Sequence, residues 1–198
     1  DLYFLATTDR EGNELFVRRA ASGNVEVLLD IAPGTASGAP SDFTPKGAAL
    51  YFSADDGVHG RELWVTNGTA AGTHMVADIV PGAGSSSPSA FYVLNGTLFF
   101  AAFSDAEGGE LWTSDGTEQG TTLFKSFISG TAGGNPSQPF VLGTRVFMRA
   151  RQSGTGTELF TSDGTAQGTT LLKEFRTGTA SGNPGGFTEL GGLVYFFA

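Results

Sequence analysis

Chemistry needs reactive side chains gathered in one place, and this sequence spreads its acids at a fixed interval instead. Glu14, Glu62, Glu110 and Glu158 each open a Glu-Leu-Trp or Glu-Leu-Phe tripeptide, and successive copies stand 48 residues apart. Shortly after three of them, Asn67, Asp115 and Asp163 begin the turn Asn/Asp-Gly-Thr-x-x-Gly-Thr, with Gly68, Gly116 and Gly164 following. A carboxylate in a Gly-rich turn offers oxygen to Ca²⁺, and Asp115 and Asp163 leave that ligand open. One carboxylate per turn is thin for an ion that takes about six to eight oxygens. Asp and Asn also cap tight turns through their own backbone while Gly supplies the positive φ, and Asn67 does this without charge. The cap is therefore the reading adopted, with no metal or other cofactor assigned. The recurrent Glu could line an acidic ligand surface. The structural alternative is that it accepts backbone N–H groups or pairs locally, aligning the hairpin that leads into it. Trp64 and Trp112, with Phe16 and Phe160, could stack on sugar rings. Flanked by Leu and Val inside a strand, they read instead as filling between packed sheets.

The one locally rich polar cluster is Asp55, Asp56, His59 and Arg61, in a turn whose counterpart carries Asp105 and Glu107. These turns vary most between copies, and variable loops on a rigid frame are where binding residues concentrate, so these six are the candidate ligand-binding residues. Enzyme signatures are missing. The two histidines, His59 and His74, form no His-Glu-x-x-His pair, and no Ser has Gly two residues away on both sides. Paired carboxylates for glycoside hydrolysis remain an option among 20 acids, though these acids mostly recur with the period rather than forming one unique set.

The elements that must position these residues follow from the same period. The apolar run Leu2–Ala6 recurs at 50–54, 98–102, 146–150 and 194–198, without insertion. One unit shows four strand signals, which we call A to D: 91–94, 98–103, 110–114 and 122–127. Asn95-Gly96 joins the first two, a strong hairpin signal because both residues tolerate positive φ. All eight prolines fall in the links from D to A or within A, which makes A an edge strand. Strand B is apolar on both faces, as a sheet sandwiched between sheets requires. Asp30, Asp78, Lys125, Lys173 and Glu174 on strand D read as guards against edge-to-edge pairing. Four antiparallel strands in 48 residues is the size of a β-propeller blade. The expected fold is all-β, a propeller-like array of four-stranded antiparallel blades, about four in this chain.

The segment from Glu110 to Thr121, Glu-Leu-Trp-Thr-Ser-Asp-Gly-Thr-Glu-Gln-Gly-Thr, resembles the bacterial ELWxxDGTxxGT repeat family. Residues 62–73 match with Asn67 in the Asp place, and 158–169 match with Phe160 for Trp. The first copy reads Arg18-Arg19-Ala20-Ala21 where the turn should be. The resemblance implies a propeller-like module of a large secreted or cell-surface bacterial protein, hence an extracellular location. It supplies no catalytic residue and no ligand.

Composition narrows the partners. The 20 acids against 11 bases give a net charge of −9, which argues against nucleic acid or an anionic membrane surface. No apolar run is long enough for membrane insertion, and cysteine is absent. The expected function is a non-catalytic structural or interaction module, a rigid scaffold for binding or spacing. The alternative is a carbohydrate-binding lectin with one weak site per blade, and a glycoside-hydrolase-type enzyme ranks third. A protein or glycan surface, further repeats, or another copy of the chain are the expected partners. The whole of 1–198 reads as one repeat domain, with units near 1–42 (partial), 43–90, 91–138, 139–186 and 187–198 (partial). The count of strands comes to 17, one more than four complete blades hold, so the chain is expected to be part of a longer array or to exchange strands with another copy.

Overall fold

Short Gly-rich turns join short strands in this chain, and a tight turn pairs each strand with its sequence neighbour. In the computed structural model, which describes all 198 residues, there are 17 strands and a single 3-10 turn at Ala70–Gly72. The first sheet holds β1 (Leu2–Thr8), β2 (Gly12–Arg18) and β3 (Val25–Leu29). Three four-stranded sheets follow: β4 (Ser41–Lys46), β5 (Ala49–Asp55), β6 (Arg61–Thr66) and β7 (His74–Ala77); β8 (Ser89–Leu94), β9 (Thr97–Ser104), β10 (Gly108–Ser114) and β11 (Thr122–Lys125); β12 (Ser137–Leu142), β13 (Arg145–Arg151), β14 (Thr157–Ser162) and β15 (Thr170–Lys173). The last, β16 (Gly185–Leu190) with β17 (Leu193–Phe197), is a separate two-stranded sheet. Every pairing is antiparallel between consecutive strands. The fold is all-β, built of several four-stranded antiparallel sheets.

The 48-residue period is kept at the level of register. Phe4 faces Phe16, Phe52 faces Trp64, Phe100 faces Trp112 and Met148 faces Phe160. Two residues along, Ala6, Ala54, Ala102 and Ala150 face the four recurrent glutamates. Strand A is an edge strand in every sheet that has one, and Pro45 and Pro139 sit within it. An edge is where a residue without an N–H costs no ladder bond.

The chain divides into two compact units, Asp1–Pro88 with Gly116–Glu118, and Ser89–Asp115 with Gln119–Ala198. In the first, Leu15, Val17 and Leu28 of one sheet pack with Phe52, Ala54 and Trp64 of the next. In the second, Tyr92, Phe99 and Leu111 pack with Val146, Met148, Ala150 and Phe160. Neighbouring sheets therefore bury their facing side chains together, which accounts for a strand B that is apolar on both faces.

Three of the charges read as edge guards do something else. Asp30, Asp78 and Glu174 lie just past the ends of their strands, and their carboxylates accept the amides of Gly34, Gly82 and Gly178 at 3.0, 3.2 and 3.1 Å. Each closes a tight turn at the start of a link, because a carboxylate there satisfies an amide that has left the ladder.

Strand A carries a bulge at one repeated place, with the register slipping between Ser41 and Thr44, Ser89 and Tyr92, Ser137 and Phe140, and Gly185 and Thr188. The bulged residues Asp42, Ala90, Gln138 and Gly186 have φ of 60°, 52°, 51° and 65°. Only the last is the residue type that adopts left-handed backbone without strain. Ala90→Gly is accordingly expected to stabilise the protein by roughly 0.5–1 kcal/mol, the left-handed penalty less the glycine entropy cost. Urea unfolding would measure it, and a loss of stability would refute the strain.

Candidate functional site

The four motif glutamates are fully buried, at 0% exposure. A carboxylate taken out of water needs hydrogen-bond donors, and these come from the links. Glu14 accepts the amides of Ala32 (3.2 Å) and Gly38 (2.6 Å). Glu62 accepts those of Ile79 (3.2 Å), Val80 (3.4 Å) and Ser86 (3.0 Å), with the Ser86 hydroxyl as a further short donor. Glu110 takes Phe127 and Ile128, both at 3.0 Å, and Glu158 takes Phe175 (2.8 Å) and Gly182 (2.9 Å). The donors lie 17, 18 and 24 residues downstream. The carboxylate accepts backbone N–H groups, as expected, but they belong to the link that leaves its own sheet and not to the hairpin between strands B and C. That link was invisible as a partner because backbone amides carry no residue signature; the recurring offset was the usable signal. Burial is the largest influence on Glu14, Glu62 and Glu110 and lifts their carboxyls above the ordinary range, against the pull of those amides.

The Asn/Asp-Gly-Thr turns are closed on themselves. Asn67 Oδ1 accepts the Thr69 amide (3.1 Å) and hydroxyl (2.7 Å), and Asp163 Oδ1 accepts those of Thr165 at 2.9 and 2.7 Å. The Thr69 and Thr165 hydroxyls then accept from Gly72 and Gly168 at 3.0 and 2.9 Å. The second glycine is required by space: a Cβ at Gly72, Gly120 or Gly168 would stand 2.1, 2.0 or 2.1 Å from the side chain of Asn67, Asp115 or Asp163. Gly68, Gly116 and Gly164 all have positive φ. The Thr165 hydroxyl and amide hold the Asp163 carboxyl below its usual value. No group of three or more His, Asp or Glu is placed to hold a metal ion.

The motif aromatics Phe16, Trp64 and Phe160 are buried and Trp112 is half-buried. The indole N–H groups of Trp64 and Trp112 have no hydrogen-bond partner. The rings serve by shape, which is why Phe substitutes for Trp within the period.

Of the six loop candidates, the fold joins two. Asp56 Oδ1 accepts the amides of Val58 and His59 at 2.8 Å each, and its Oδ2 stands 2.7 Å from His59 Nδ1. Asp55 caps the same turn through the Gly57 amide (2.8 Å). Arg61 turns back instead, its Nη1 reaching the carbonyl and hydroxyl of Ser53 at 3.3 Å. In the second unit Asp105 is exposed, and Glu107 accepts the Ser126 hydroxyl at 3.1 Å. Asp56 raises the His59 pKa above 6.5, chiefly through their hydrogen bond. Burial alone would push Asp56 up, but the His59 amide, the imidazole and the Val58 amide together hold it low. With His59 charged and Asp56 ionised the pair contributes stability; this is lost as pH rises through the raised imidazole value, and lost again as pH falls through the lowered Asp56 value. Asp56→Asn is expected to return His59 to about 6.5, seen in an NMR titration of the imidazole protons; an unchanged midpoint would refute the pairing.

No protein-family model matches the chain, and no curated protein matches it. Among solved structures, it is similar to the crystal structure of TolB from Acinetobacter baumannii, at 16% identity and a TM-score of 0.51. That match covers 92% of this chain and 42% of the other. The computationally designed protein Ika8 matches at 11% identity and a TM-score of 0.44, over 91% of this chain and 49% of that one. The likeness to TolB is one of fold alone, and this chain spans less than half of that structure's length.

Proposed function

We propose that this chain is a non-catalytic structural and interaction module, a propeller-like scaffold for binding or spacing in a secreted or cell-surface protein. The observation that carries the reading is the fate of the recurrent acids. The four buried glutamates, and Asp163 in its turn, direct their carboxylates at groups within their own repeat. Side chains committed in this way hold links and turns in place, which is the work of a frame. The register repeated at 48 residues and the burial between adjacent sheets favour stacked blades as its geometry. A sugar site in every repeat, built on the motif aromatic, has less support because Phe16, Trp64 and Phe160 are buried.

The test is a turnover screen of the purified chain on glycoside, ester and phosphoester substrates, with circular dichroism to confirm folding. The expected result is no turnover above background. Hydrolysis that co-purifies with the chain and falls on substitution of one acid would overturn the reading.

A further inference from the structure

The chain holds six asparagines, and the residue after each one decides what its side-chain amide can undergo. Asparagine is chemically labile where the next backbone nitrogen can reach its own Cγ. Pro136 and Pro184 follow Asn135 and Asn183 and have no amide proton to give up. Glu14 and Val25 follow Asn13 and Asn24, and their side chains crowd the approach. Only Asn67-Gly68 and Asn95-Gly96 leave it clear.

The two pairs sit in opposite surroundings. Gly68 is buried, and its amide donates to Thr66 Oγ1 at 2.9 Å. Asn67 Oδ1 is held by the Thr69 amide and hydroxyl, and a Cβ on Gly72 would stand 2.3 Å from Asn67 Cγ. Asn95 and Gly96 are instead exposed at the tip of the β8–β9 hairpin, with φ of 52° and 78°. The Gly96 amide donates to nothing, and no atom lies within 4 Å of where its Cβ would be. The Asn95 side chain makes one hydrogen bond, from Nδ2 to the Asp163 carbonyl at 3.2 Å. That bond ties the hairpin to the turn after β14, within the second unit. The fold does not ask for asparagine here. Three other copies place Gly47, Gly143 and Gly191 at the same point, with φ of 61°, 60° and 62°.

We propose that Asn95 is a site of spontaneous deamidation, with water as the only co-reactant, and that Asn67 is protected from it. The Gly96 nitrogen loses its proton to base and attacks Asn95 Cγ. The adduct expels the side-chain nitrogen, which takes a proton from water and leaves as ammonia, and a five-membered succinimide remains. Water adds to one of the two ring carbonyls, that C–N bond breaks, and the ring nitrogen regains its proton. Opening at Cγ gives aspartate; opening at the main-chain carbonyl gives isoaspartate, with the chain routed through Cβ. Nothing is oxidised, and the net change is amide plus water to carboxylic acid plus ammonia. Either product lacks the Nδ2 donor and adds a negative charge at the turn, so the tie to the Asp163 carbonyl is lost. The site goes beyond the scaffold reading and does not rest on it.

The test incubates the purified chain in mildly alkaline buffer, with and without urea, and maps deamidation by mass spectrometry of chymotryptic peptides. In the folded chain, modification at Asn95 should outpace that at Asn67 at least about tenfold, since ring closure at Asn67 must first break three hydrogen bonds. In urea the two rates should converge. Asn95→Gly, the residue the other copies carry, removes the fast phase and leaves the circular dichroism spectrum unchanged. Asn95→Asp, which reproduces one product, speeds amide exchange at Gly164 and Thr165. An Asn95 that stays intact in the folded chain, an Asn67 that keeps pace with it, or a rate difference that persists in urea would each overturn the proposal. Unchanged exchange in Asn95→Asp would overturn the loss of the tie.

Discussion

Glu62→Ala lowers the unfolding free energy by about 3–5 kcal/mol, because three backbone amides and a hydroxyl lose their acceptor inside the protein. Each buried donor left unmet costs about 1–3 kcal/mol, and partial solvation keeps the sum below the maximum. Removing the side chain also frees the link from Ile79 to Ser86, so amide exchange there should quicken more than in β5 and β6. The isosteric Glu62→Gln separates charge from shape. Burial raises the Glu62 carboxyl above 4.5, so the folded chain binds a proton that the unfolded chain has already released. Its contribution is complete below pH 4.5 and declines as pH rises through the raised value. Urea titrations of the parent and Glu62→Gln at about pH 4 and about pH 7 should show the wider gap at the acid value. A gap that widens toward neutrality would mean that the amide bonds, rather than desolvation, govern this carboxyl.

Gly60→Val should be among the most damaging single substitutions in the first unit, costing more than about 4 kcal/mol and leaving little folded protein. Gly60 has a φ of 67°, and a Cβ there would lie 2.0 Å from the Gly84 carbonyl oxygen. Neither problem can be relieved by moving a flexible side chain, because the obstacle is the backbone of the link. That link is fixed a few residues away by Glu62 and again by the Ser85 hydroxyl, which accepts the Arg61 amide at 2.9 Å. Gly57, three residues earlier, has a similar φ of 79° and open space around it. Gly57→Ala therefore isolates the left-handed penalty at roughly 1–2 kcal/mol. Chemical denaturation of the two variants would compare them, and equal losses would show that the contact with the link carries no weight.

Much of the fold was legible because the sequence repeats. A period of 48 with no insertion placed the hairpins outside the degenerate first copy, and Asn95-Gly96, at φ of 52° and 78°, forms the turn its residue types require. Proline marked strand A as an edge, since a residue without an N–H cannot sit inside a ladder. The helical turn at Ala70–Gly72 was not anticipated, being one turn long and stabilised by its Thr69 cap rather than by any apolar periodicity. The acids Asp30, Asp78 and Glu174 each lie one residue past the strand they were assigned to. At a strand end that distance separates an edge charge from a turn cap, and composition does not distinguish them.

The candidate site was less legible, for a physical reason. Asp55, Asp56, His59 and Arg61 were readable as one polar cluster, and within it the tight turn brings Asp56 and His59, three residues apart, together by local geometry. Arg61 stood in the same stretch, yet its guanidinium turns to Ser53 across the sheet, a choice set by the ladder. What the sequence alone determined is the periodic part: strand order, turn chemistry, and acids shared out evenly instead of gathered at one centre. What only the tertiary structure decided is the partner of each buried group. The glutamates found backbone amides 17 to 24 residues away, and Arg149 of β13 found the Ser137 hydroxyl. Periodicity records where local conformation repeats. The destination of a buried carboxylate or guanidinium depends on desolvation and on which donors or acceptors the packed links bring within reach.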